Sequence, residues 1–162
     1  MLYYKMNKNK INTSNKIYKR DIKSGEKNEK KVFEYLNATI YKDEPLEKSS
    51  DKYAVFDFFS KSAICELKSR NNIHSHYRST MVGFNKIDYA NKMLEDLSES
   101  VLVRPEVVFY FLFQDGLYSW NLDNNQYYTK QSGREDRGQV EKSKYAYINI
   151  SNLELITKDI CS

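Results

Sequence analysis

Residues 54–71, AVFDFFSKSAICELKSRN, form a dense apolar stretch into which three charged side chains, Asp57, Glu66 and Lys68, are set before the run gives way to polar residues. Two β-rich runs can be drawn here, Tyr53 to Phe59 and Ser62 to Ser69, separated by a turn around Ser60 and Lys61. Paired as an antiparallel hairpin with a two- or four-residue loop, their residue numbers sum to 121, so Asp57 faces Ile64 and Val55 faces Glu66. Side chains alternate along a strand. Val55, Asp57, Phe59, Ile64, Glu66 and Lys68 therefore share one face, and Ala54, Phe56, Phe58, Ala63, Cys65 and Leu67 share the other. The second face is wholly apolar and belongs in a core. On the first, Asp57 and Glu66 are diagonal neighbours with Cβ atoms within ~7–8 Å, close enough to converge on one cation.

Two carboxylates at that distance repel unless something positive lies between them, and a hard divalent ion with oxygen ligands suits the gap. Mg²⁺ keeps several waters, one of which can be deprotonated and directed at phosphorus while the ion offsets charge growing on the phosphate. Mn²⁺ serves the same oxygen donors. Lys68, two residues along the same face from Glu66, can ease that deprotonation or meet the transition-state charge.

Working outward, SGEKNEKKVFEYLN from Ser24 places Glu29, Val32, Phe33 and Leu36 at i, i+3, i+4, i+7, which predicts a helix. Glu29 heads the apolar stripe, where it can approach the same site as an outer ligand or orient a bound water. Residues 1–20, rich in lysine and asparagine without periodicity, read as a flexible basic arm ahead of a single domain, 21–162. ATIYKDEP reads as a short first strand stopped by Pro45, and NNIHSHYRST as a polar loop. Ile87, Ala90, Met93 or Leu94, Leu97 and Val101 predict a second amphipathic helix over roughly 84–99. Beyond Pro105, EVVFYFLFQDGLYSWNL reads as a hairpin turning at Asp115-Gly116. QYYTK extends the sheet, QSGREDRGQVEKSK is a long polar loop, and YAYINI is a last strand.

The order helix with glutamate, strand, strand with Asp57, strand with Glu66-Leu67-Lys68, helix, strand resembles the PD-(D/E)xK nuclease superfamily over residues 24 to about 113. The resemblance implies a restriction-endonuclease-like fold: an α/β (α+β) domain with an αβββαβ core, a central mixed sheet flanked by helices and extra C-terminal strands. It implies Asp57, Glu66 and the main-chain carbonyl of Leu67 as metal ligands, Lys68 as the catalytic lysine and Glu29 as the auxiliary acid. A polar residue of the second helix region, Lys86, Asn85 or Tyr77, would assist. Phenylalanine rather than proline precedes Asp57, a departure from the family pattern. The function expected on this basis is Mg²⁺- or Mn²⁺-dependent hydrolysis of DNA, probed against two rivals. One is an inactive nuclease-fold binding or assembly module; the other is a small α+β protein-interaction domain.

Composition narrows the setting. Of 162 residues, 26 are Lys or Arg and 22 Asp or Glu, a formal charge of +4 that permits a polyanionic partner without demanding one. Arg70, Tyr77, Arg78 and Lys86 follow the site and can contact DNA phosphates; the same contacts would serve RNA. The two cysteines, Cys65 and Cys161, provide neither a disulfide framework nor a cysteine-based zinc site. No signal-peptide pattern opens the chain and no apolar run spans a bilayer, so a soluble intracellular protein without membrane contact is expected. A homodimer through the hairpin at 107–122 suits an enzyme cutting two strands. His74 and His76 read as ordinary loop histidines, and Arg134 and Arg137 as part of a self-neutralised loop with Glu135 and Asp136.

Overall fold

The computed structural model describes residues 2–50, 54–97, 103–134 and 141–161, with side chains described outside 2–18, 133–134 and 141–142. Its organising element is β5 (Glu106–Phe113), in which every residue after Glu106 is buried. A strand of sequence EVVFYFLF has two apolar faces, so it is stable only inside a sheet covered on both sides. Val107, Phe109, Phe111 and Phe113 enter one hydrophobic cluster, while Val108, Tyr110 and Leu112 enter another across the sheet.

Around β5 lie β1 (Glu47–Lys48), β2 (Phe58–Phe59), β3 (Ala63–Ser69), β6 (Gly116–Asn121) and β9 (Glu154–Thr157), in the order β1-β2-β3-β5-β6-β9. Only β3 and β5 run parallel; the other neighbours in this sheet are antiparallel. One face is covered by α1 (Leu2–Ala38) through Val32 and Leu36, packed on Phe58, Ala63, Cys65 and Leu67. The other is covered by α2 (Phe84–Leu97) through Ile87, Ala90 and Leu94. A smaller antiparallel sheet, β4 (Ser79–Gly83), β8 (Glu141–Asn149) and β7 (Tyr128–Arg134) in the order β4-β8-β7, adds Val82, Ala146 and Ile148 to the α2-side cluster of Phe109 and Phe111. This α+β arrangement, a mixed sheet between helices with added C-terminal strands, is the fold class expected from the sequence.

Several sequence expectations are corrected. The helix of α1 begins at Leu2, so the stretch read as an arm is helical, and the described side chains before Asn28 are mostly exposed. ATIYKDEP forms turns rather than a strand, and the first strand, β1, follows Pro45. NNIHSHYRST contains a turn of 3₁₀ helix at His74–His76 and the start of β4. The β2–β3 pairing is Phe58↔Cys65 and Phe59↔Ile64, two residues away from the expected register, because the turn falls at Lys61-Ser62 with Ser60 N–H donating to Ala63 O at 2.7 Å. A slip of two preserves the faces. It does not hold Phe56, which lies in the bend preceding the two-residue β2 and joins the α2-side cluster. The second hairpin turns at Gln114-Asp115, one residue early. Tyr53, Val101, Glu135, Asp136 and Arg137 lie outside the described residues.

Nor does the 107–122 hairpin offer a free interface: it is interior to the sheet, with β3 on one side and β9 on the other. The pivotal role of β5 gives a direct expectation. Phe109→Ala, at a fully buried position, should lower unfolding free energy by about 3–5 kcal/mol in urea titrations, while Phe59→Ala, 43% exposed, should cost within about 0.5 kcal/mol.

Candidate active site

Alternation along β3 turns Cys65 and Leu67 toward α1 and sends Glu66 and Lys68 to the α2 side. Glu66 is 1% exposed, a carboxylate that burial would penalise heavily without partners. It has two. Lys68 Nζ lies 2.5 Å from its Oε1, and Lys86 Nζ, reaching in from the first turn of α2, lies 3.1 Å from Oε2. Lys86 also donates to the carbonyl of Val55 and sits 5.8 Å from the centre of the Phe56 ring. One ammonium group thus joins α2, the bend at 54–57 and β3.

Asp57 stands where that bend enters β2. Its N–H donates to Cys65 O at 3.1 Å, and its Oδ2 accepts from Leu67 N–H at 2.7 Å. The regular pairing ends at Phe58↔Cys65: Cys65 O also accepts from Asp57 N–H, so Asp57 bulges out of the ladder beside Phe58. The N–H and C=O of one strand residue point to the same side, so the Leu67 carbonyl faces the same edge as Asp57. The Asp57 carboxylate thus lies at the edge of β3 that carries the Leu67 N–H, close enough to Glu66 to feel its charge. Burial, and next the Glu66 carboxylate, push the Asp57 pKa above the ordinary aspartate value; the Leu67 hydrogen bond and the two lysines oppose that rise. A cation between the carboxylates would remove the repulsive part of this shift, so the donor set fits a hard divalent ion.

The other predicted residues divide. Glu29, 37% exposed at its side chain, pairs with Lys48 at 3.1 Å, and α1 covers the face of β3 opposite Glu66. Among the described residues no three Asp, Glu, His or Cys side chains converge as a metal-binding group, so Glu29 does not join Asp57 and Glu66 as the helical stripe suggested. The Arg70 guanidinium donates to Thr80 Oγ1 at 3.0 Å and to Met81 O, and lies over the Phe111 ring, tying β3 to β4. Lys86, expected either to assist from the second helix or to contact phosphates, lies in the carboxylate cluster. Tyr77, 63% exposed, and Arg78 lie on the surface before β4. His74 is structural: its ring stacks on Tyr118 at 4.1 Å, its backbone N–H donates to Asp115 Oδ1 at 2.7 Å, and its ring Nε2 lies 3.2 Å from Ile150 O.

No helix among the described residues is long and apolar enough to cross a membrane. No curated protein matches the chain. A family profile described as "Phage putative PDDEXK endonuclease" matches residues 14–156, a span that contains both Asp57 and the Glu66-Leu67-Lys68 run. Sharing that profile over most of its length, the chain belongs to this family of PDDEXK nucleases.

Proposed function

We propose that the protein hydrolyses phosphodiester bonds of DNA internally along the strand, using Mg²⁺ or Mn²⁺ held by Asp57, Glu66 and the Leu67 carbonyl. The observation that supports this reading is that the Asp57 carboxylate is held by the Leu67 N–H, next to the buried Glu66 carboxylate that carries the Lys68 ammonium. The ion supplies Lewis acidity and water activation at neutral pH.

The chain's own groups do the remainder. Asp57 and Glu66 fix the position at which positive charge collects, Glu66 from the middle of β3 and Asp57 from a bend pinned to β3 by the Leu67 N–H. Lys68 stands beside that position and meets negative charge as it develops on the phosphate oxygens, stabilisation that is strongest in a poorly solvated site. Lys86 anchors Glu66 from the opposite side and holds α2 against it. Two carboxylates and two ammonium groups balance in charge, so a divalent ion leaves the cluster doubly positive, suited to a phosphodiester. A water oxygen bonds to phosphorus as the ester bond to the leaving oxygen breaks, and no side chain becomes covalently attached.

The test is cleavage of supercoiled, linear, single-stranded and branched DNA with Mg²⁺, Mn²⁺ or EDTA. Cutting should require metal, and Lys68→Ala should slow it by about 10²-fold or more while leaving the far-UV circular dichroism unchanged. Metal-independent cutting, or full activity in Lys68→Ala, would refute the assignment; no cutting by any protein would point to the binding-module rival.

A linked expectation concerns stability. The Asp57 pKa is raised in the folded protein, so the protonated form is favoured by folding and its stabilising share is lost as pH rises through the folded value. In EDTA at neutral pH, Asp57→Asn should therefore melt at or above the native temperature. Adding Mg²⁺ should raise the melting temperature of the native protein only. The reverse ordering, or equal Mg²⁺ shifts in both proteins, would remove Asp57 from the ligand set.

A further inference from the structure

Beside the carboxylate cluster, at the end of β3, opens a cleft of about 540 Å³ bordered by Asn71, Tyr77, Arg78, Met81 and Tyr147. Lys68 and Arg70 project to the same face two residues apart, so the cleft begins about 7 Å beyond Lys68, within reach of the neighbouring nucleotide of a strand bound there. Its walls are fixed: Arg70 is bonded to β4, and His74 is clamped between Tyr118, Asp115 and Ile150. The space is of ordinary ligand-site size and preformed.

The small sheet forms one wall. Thr80, Val82, Ala146 and Ile148 point inward to the core, which turns Met81, Tyr145 and Tyr147 outward. Tyr147 stacks on its cross-strand partner Tyr128, with ring centres 5.3 Å apart at 13°, and Tyr128 is 51% exposed. Exposed tyrosines beside a cleft are costly to hydrate, yet this patch also carries cations. The side chains of Arg78 and Lys130 are exposed and make no hydrogen bond or ion pair among the described residues. Flat rings for base faces and cations for the backbone are the recognition chemistry of unpaired nucleic acid. A base inside a duplex has both faces covered by its neighbours and cannot present a ring plane to Tyr77 or Tyr147.

We propose that this cleft and the tyrosine face beside it form a subsite for an unpaired nucleobase of the strand being cut, which makes single-stranded nucleic acid the preferred ligand. The inference rests on the nuclease reading and deepens it.

The test is fluorescence anisotropy of the full-length Lys68→Ala protein with labelled oligothymidine, the same backbone carrying abasic sugars, and a duplex of equal length. Oligothymidine should bind tightest. Tyr77→Ala and Tyr147→Ala should each weaken it on the order of tenfold, Tyr147→Phe should not, and none should alter binding of the abasic strand. Equal affinity for abasic and base-bearing strands, tighter duplex binding, or indifference to both alanine substitutions would overturn the subsite. If the native protein still cuts DNA with metal in that case, the subsite alone fails; if it neither binds nor cuts any nucleic acid, the nuclease reading fails with it.

Discussion

A glutamate 1% exposed in the middle of a sheet is the constraint around which this molecule is arranged. Removing a carboxylate from water costs several kcal/mol by order of magnitude, and the fold meets that cost with two ammonium groups rather than one. Lys68 comes from the same strand and ties nothing new together. Lys86 comes from α2, and by also bonding Val55 it fixes the helix and the bend carrying Asp57 in one stroke. The position of Asp57 is then completed by the Leu67 N–H, the neighbour of Glu66. Geometry at the site follows from satisfying one buried charge.

The rest of the fold supplies the dry surroundings that make this arrangement consequential. Phe109 and Phe111 of β5 pack with α2 and the small sheet on the side that Glu66 faces. On the other side Tyr41, Tyr110 and Cys65 form a buried network, with the two hydroxyls 3.0 Å apart, and burial pushes the Cys65 thiol up to about 12. That thiol stays neutral and serves as packing. The charged groups Glu66, Lys68 and Lys86 are thus gathered on the α2 face.

What could be read from the residues follows from what leaves a periodic trace. The two-faced apolar run of β5, the alternation of β3 and the stripe of α2 all do, and each element appears where periodicity placed it. β1 and β2, two residues long, are too short to have a period. β4 was hidden because its inward residues include a threonine, Thr80, bonded to Arg70, so the run reads as polar. The hairpin register moved by two because Lys61-Ser62 carries none of the glycine or asparagine that marks a tight turn. Parity keeps Glu66 and Lys68 on one face of β3, but it does not reach the bend at 54–57, where Phe56 changes face and Asp57 is placed by its bond from the Leu67 N–H. Glu29 misled for a different reason: helical spacing assigns a face, but the end of that face lies at the sheet margin, where Lys48 waits. The joining of Lys86 to Glu66 depends on how a helix docks on a sheet, which spacing within either element does not encode.

The account stands most directly on where a divalent ion sits. Crystals grown with Mn²⁺ and measured for anomalous scattering should show a peak coordinated by Asp57, Glu66 and the Leu67 carbonyl, with at least one lysine displaced from Glu66. Well-ordered density in which Glu66 remains bound to both lysines and no anomalous peak lies beside Asp57 would contradict it.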